Sequence, residues 1–139
     1  MSNWIHVNAA IRINDASSDD LVPDFDNLIG KECIIDSPES VWDDMNLNPD
    51  LYLPMGSEGS LRKSVYIYAS SYSVMIFGDL RDRGEEDAKG VLQWFKDKCN
   101  KINETYGVKD AVITVRVNTD ETFIYVYESF KNLWYIPWS

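Results

Sequence analysis

The chain has one histidine, His6, so no two imidazoles can share a metal ion, and Ser-His-Asp or Cys-His machinery would have to be built on that residue. His6 alternates with apolar neighbours and falls beside Asn8 and Arg12. An imidazole there could act as a general acid or base, although a surface histidine is the simpler reading. Cys33 and Cys99 are the only thiols. A catalytic thiol needs a positive or helix-N-terminal setting. Cys99 lies on an apolar helical stripe and Cys33 among acids before Ile34 and Ile35, so both read as packing residues. Carboxylates are in surplus: Asp79, Asp82, Glu85, Glu86 and Asp87 gather where a strand passes into a helix. Such oxygen ligands would suit Mg2+ or Ca2+ in a metal-dependent hydrolase. The spacing is not that of an EF-hand, Arg81 and Arg83 interleave, and helix capping accounts for the group. Gly56, Ser57, Gly59 and Ser60, followed by Arg62 and Lys63, form a loose glycine loop that could reach a nucleotide, with Arg12 or Arg81 as further phosphate ligands. It lacks the Gly-Lys-Ser/Thr ending of a P-loop, and Glu58 would repel phosphate. Tyr66, Tyr68, Tyr72, Phe123, Tyr125 and Tyr127 could line one sheet face as base-stacking modules do, but no basic flank accompanies them. No catalytic residue, metal or cofactor is expected.

The placement of charge is more informative than these candidates. The net charge is -10, from 13 Lys+Arg against 23 Asp+Glu. Between positions 15 and 58 the acids are Asp15, Asp19, Asp20, Asp24, Asp26, Glu32, Asp36, Glu39, Asp43, Asp44, Asp50 and Glu58, and the only base is Lys31. Twelve acids against one base give that stretch -11, and the rest of the 139 residues is close to neutral. A broad basic surface that follows nucleic-acid phosphates is excluded, and an anionic-membrane binder is disfavoured. Duplex DNA carries about one charge per 1.7 Å of axis, and an array of fixed carboxylates can compete for a basic channel built to hold it. Aspartates dominate the array, and their short side chains suit fixed rather than waving charges. Solubility is the plainer use of the same charge.

These residues need elements to hold them. Ile5, Val7, Ala9, Ile11 and Ile13 alternate with polar residues, the period of a half-buried strand over Trp4–Asn14. Within the acidic stretch, Ser37-Pro38-Glu39 is a helix start, with Val41, Trp42 and Met45 as a short stripe, so the pattern predicts a helix at 38–46. Pro23 to Ile29 could add a turn of helix with Phe25, Leu28 and Ile29 inward. Pro49, Pro54, Gly56 and Gly59 mark 47–62 as a long loop. Val65–Ala69 and Ser73–Gly78 read as strands with a turn at Ser70-Ser71-Tyr72. Ala88, Val91, Leu92, Phe95, Cys99 and Ile102 form one helical stripe, with acids at its start, lysines at its end and Gly107 as a stop. Ala111–Val117 and Phe123–Tyr127 form a last hairpin. Phe130, Trp134, Tyr135 and Trp138 make the end too apolar to remain in water, so it should fold back or meet a second copy. The expected architecture is one α+β domain over 1–139. It would be an antiparallel sheet with helices on one face, in the manner of a ferredoxin-like split βαβ with an extra hairpin strand. The acidic helical and loop segment would occupy 15–62 and the aromatic segment 129–139. No apolar run reaches the ~20 residues that span a bilayer. The opening residues lack the basic and apolar regions of a signal peptide, and two thiols imply no disulfide framework or four-ligand zinc site. A cytoplasmic protein is expected.

Three stretches carry a resemblance: Ser2-Asn3-Trp4-Ile5-His6-Val7 with Ile11-Arg12-Ile13, then Gly56-Ser57-Glu58-Gly59-Ser60-Leu61, and Ile76-Phe77-Gly78-Asp79-Leu80-Arg81-Asp82. They resemble small accessory proteins of bacteriophages and prophages, over about residues 2–128. The resemblance implies a viral context, a host-cytoplasmic setting and, among small acidic proteins of that kind, inhibition of host defence as by anti-CRISPR proteins. It carries no catalytic motif. The combined expectation is a non-enzymatic protein that binds a host protein with a basic surface, without touching nucleic acid or membrane. Asp19, Asp20, Asp24, Asp26, Asp43 and Asp44 would make the contact, and the aromatic C-terminal segment could pair two copies. The alternatives are a binder that sequesters a nucleotide signal on the 56–63 loop, and a hydrolase using the 79–87 carboxylates.

Overall fold

The computed structural model describes residues 3–14, 23–32, 47–68, 71–118, 121–128 and 133–137. The alternation at the start of the chain becomes β1 (Trp4–Asn14), with Ile5, Val7, Ala9, Ile11 and Ile13 all buried. β1 is flanked on both sides by antiparallel partners, β3 (Ser71–Arg81) and β4 (Gly107–Val117). β2 (Arg62–Tyr68) pairs with β3 at one edge, and β5 (Glu121–Glu128) extends β4 on the other side. A three-residue strand β6 (Leu133–Tyr135) closes that side, so the sheet order is β2-β3-β1-β4-β5-β6, antiparallel at every junction.

One face of this sheet is covered. The four-residue helix α1 (Phe25–Leu28) is capped by Asp24, whose carboxylate accepts from the Asn27 amide at 3.2 Å. The long helix α2 (Glu85–Asn103) follows the rules read from its sequence. Asp87 reaches back to accept from the Gly84 amide at 2.9 Å, one half of a capping box, and acids fill the first turn against the dipole. Its apolar stripe, from Ala88 to Ile102, is the buried face. Phe95 is fully buried and meets Trp134 of β6 edge-on with ring centroids 5.7 Å apart, while Tyr127 lies 5.4 Å from the same indole. The aromatic end therefore folds back at Trp134; Phe130 and Trp138 lie outside the described residues.

The expected α+β layering, helices on one face as in a ferredoxin-like split βαβ, is corrected by this arrangement. The molecule is mainly a six-stranded antiparallel sheet with one long helix among the described residues. Three physical causes separate the two pictures. β1 has its expected bounds, but β3 and β4 each run for 11 residues, longer than the expected Ser73–Gly78 and Ala111–Val117; in β3, Asp79 to Arg81 continue the ladder opposite Trp4 to His6. The aromatic end adds a strand rather than a loose cover. The described part of the β1–β2 crossover supplies α1, a helical residue at Leu47 and a 3-10 turn at Pro49–Leu51. The helix expected at 38–46 lies outside the described residues. Among those described, no helix is long and apolar enough to cross a membrane.

Candidate functional site

Strict alternation places a second set of side chains on the face opposite α2. Successive rows across the strands are read from the register. Tyr66, Ser73, Arg12, Asp110 and Glu128 form one; Ser64, Met75, Ala10, Val112, Val126 and Tyr135 the next. Arg62, Phe77, Asn8, Thr114 and Ile124 form the third, and Asp79, His6, Arg116 and Thr122 the fourth. Tyr66, Met75, Phe77 and Val112 are exposed on this face.

In its last row His6 Nδ1 lies 2.6 Å from Asp79 Oδ1, so the carboxylate fixes the ring and Nε2 remains as the second imidazole nitrogen. Beside it a shallow cavity of about 410 Å3 is lined by His6, Asn8, Thr114, Arg116, Asn118 and Thr122. Among the described residues of its lining, the hydroxyls are those of Thr114 and Thr122. At the other end Arg12 grips Asp110 through both Nε and Nη2, with Nε to Oδ1 at 2.8 Å. This fork holds the Asp110 carboxyl below the usual carboxylate range against the opposing effect of partial burial, and it raises the Arg12 guanidinium.

The acidic candidates divide. Asp19, Asp20, Asp43 and Asp44 lie outside the described residues. Asp24 is exposed at the start of α1, where it serves as the cap. Asp26 receives the Lys63 ammonium at 2.5 Å, and that ammonium also donates to the Gly30 carbonyl at 2.7 Å. Glu32 accepts from the Lys63 amide at 2.7 Å and from Arg62 at 3.3 Å, and Glu58 takes Arg81 at 2.5 Å. Burial and neighbouring Lys101 push the Lys98 ammonium down, with Asp50 acting in the opposite sense. Several described acids of the negative third are thus matched by bases from outside it.

The glycine loop is not arranged as a phosphate cradle. The Gly56 amide donates to the Gly59 carbonyl and the Ser57 amide to the Arg81 carbonyl, both at 3.0 Å. Arg81 returns a bond to the Glu58 carbonyl, also at 3.0 Å, so the loop is stitched to the end of β3. Ser60 is buried and the Ser57 hydroxyl donates to Asp82. Arg62 and Lys63, the cations of the nucleotide reading, are the ones that meet Glu32 and Asp26. Arg12 and Arg81 are likewise held by carboxylates.

The carboxylates at 79–87 are dispersed among separate tasks: Asp79 on His6, Asp82 on Ser57, Asp87 on the Gly84 amide, and Glu85 and Glu86 each 3.7 Å from Lys89. Among the described residues no three His, Cys, Asp or Glu side chains converge as a metal site. The tyrosine set is split by the pleat. Tyr66 faces outward, whereas Tyr72 and Tyr127 are buried and Phe123 and Tyr125 pack against the core, Tyr125 under the Lys96 ammonium at 4.0 Å. Cys99 is buried, which pushes its thiol up, and Cys33 lies outside the described residues.

Sequence reasoning did not single out Met75, Phe77, Val112, Thr114 and Arg116. The first two carried a signal: Val74-Met75-Ile76-Phe77 is apolar at every position, so both faces of β3 are apolar. No protein-family model, curated protein or solved structure matches the chain, so the reading of its surfaces rests on their geometry and chemistry.

Proposed function

We propose that the protein is a non-catalytic binding protein that engages a basic surface of another protein through its acidic third, in competition with nucleic acid. The observation that carries the reading is the segregation of charge, -11 within 15–58 on a chain otherwise close to neutral. Of the six aspartates proposed for the contact, Asp26 meets Lys63, which leaves Asp24 with Asp19, Asp20, Asp43 and Asp44 as the ones to test first. Complementary charge of this kind gives fast, salt-sensitive association. The phage resemblance adds a class of partner, a host defence protein with a nucleic-acid channel. The test is displacement of a fluorescent duplex from a panel of nucleic-acid-binding proteins, followed by anisotropy. The wild-type chain should release the duplex from a subset of the panel. Reversal of Asp19, Asp20, Asp43 and Asp44 to Lys should abolish release. Equal release by the reversed chain, or none by the wild type, contradicts the reading.

A further inference from the structure

Strands β1 and β4 fall out of step once. Arg12 lies opposite Asp110 and Ile13 opposite Val108, so Lys109 is an extra residue on β4, a β-bulge. Val108 and Ala111 remain buried on the α2 side, so the core face keeps its register across the insertion. A bulge gives up local pairing and re-aims a side chain, and bulges are enriched beside functional sites. Here Lys109 is exposed and lines a cavity of about 210 Å3 at the end of the open face, together with Arg12, Asn14, Tyr66, Ser71 and Ser73. Among the described residues, that lining holds two cations and no carboxylate, on a chain whose net charge is -10.

We infer that this cavity binds a mononucleotide, with its base on Tyr66 and its phosphate on Lys109 and Arg12. Three observations select that chemistry. The first is the ring. Tyr66 is 65% exposed on β2, and an open tyrosine face stacks on a base whatever that base's hydrogen-bonding edges. The second is charge. The fork from Arg12 to Asp110 uses Nε and Nη2, so Nη1 still has protons to donate to a phosphate oxygen. With Arg12 and Asp110 matched, Lys109 gives the site its positive balance; Glu128, opposite Asp110 on β5, is not part of the lining. The third is spacing. Tyr66 and Lys109 stand three strand separations apart, roughly 14 Å between backbones. Two long side chains reaching over that distance suit a base joined through a sugar to phosphate, and inorganic phosphate alone is too small to meet both. Ser71 and Ser73 on β3 and Asn14 on β1 lie between them and offer hydroxyl and amide groups to the sugar.

Isothermal titration of the full chain with AMP, GMP, CMP and UMP, each to about 5 mM at the weak end of specific binding, tests the inference. The nucleosides and inorganic phosphate serve as the two halves of the ligand. At least one mononucleotide should bind about tenfold or more tightly than either of its halves. Lys109→Ala and Tyr66→Ala are changes at exposed positions, and circular dichroism should show both variants folded. Each should weaken mononucleotide binding about tenfold, the size of one charge-assisted bond or one stacked base. Lys89→Ala removes a cation from α2, on the opposite side of the sheet, and should bind as the wild type does. A wild-type chain that binds no mononucleotide overturns the inference. So does binding that survives either substitution, phosphate alone binding as tightly, or equal weakening by Lys89→Ala. Neither Tyr66 nor Lys109 belongs to the acidic stretch, so the duplex-displacement assay can succeed or fail independently.

Discussion

Asp110 shows how a single side chain is set by its partner across the sheet. Arg12 holds its carboxyl below the ordinary range, so the folded state binds that proton less readily than the unfolded chain. The stabilisation is therefore fully present above the unfolded carboxyl value near pH 4 and is lost as pH falls through the lower folded value. The pair is partly solvent-exposed, which limits it to about 0.5 kcal/mol. Asp110→Asn should lower stability by that amount at pH 7 and by progressively less as the pH falls below about 4, read from urea midpoints along an acid series. A loss that does not change along the series would separate the effect from ionisation. Gly59 is fixed by backbone rather than charge. Its φ is +77, and a Cβ would lie 2.1 Å from the Asp79 carbonyl oxygen, with no flexible side chain able to yield. Gly59→Ala should cost about 2 kcal/mol or more in denaturant unfolding. The same residue had been grouped with a phosphate loop, because glycine-serine composition signals a tight turn without saying what the turn packs on. The strand that receives it is more than ten residues further along the chain, beyond any local pattern.

At the level of elements, β1 and α2 were legible because each has a long apolar period, and their predicted inward residues are the buried ones. β6 was not, since three residues are too few to show alternation, and its ladder to β5 depends on a partner already in place. Its energetic weight is disproportionate to its length. Trp134 meets Phe95 edge-on and Tyr127 at a tilt while its buried indole Nε1 finds no acceptor among the described residues, so shape rather than hydrogen bonding holds it. Trp134→Ala should destabilise the fold by about 3 kcal/mol, within the range for aromatic truncation in a core. A loss below about 1 kcal/mol, the size of a surface substitution effect, would mean that β6 is not anchored by that ring. The candidate ligand and metal groups failed at this same level. The ladder places Asp79 opposite His6 and brings Arg62 and Lys63 to the carboxylates of the β1–β2 crossover, pairings that span 30 residues or more. Sequence composition shows that charges exist; register decides which of them meet.

For the whole molecule, the two sheet faces differ, and the charge is segregated along the sequence. One sheet face is filled by α2 and the loops, the other carries exposed apolar side chains, and the negative excess belongs to the stretch of sequence between β1 and β2. The acidic third remains the central claim, and its signature is salt dependence. Affinity for a protein from which the chain displaces DNA should be measured at low and at physiological ionic strength, for the wild type and for the Asp19, Asp20, Asp43 and Asp44 reversal. Electrostatic docking predicts that wild-type affinity falls at least tenfold as the Debye length shortens from about 30 Å to about 8 Å, and that the reversed chain binds weakly at both. A wild-type affinity indifferent to salt, or a reversed chain that binds as tightly, would contradict the account.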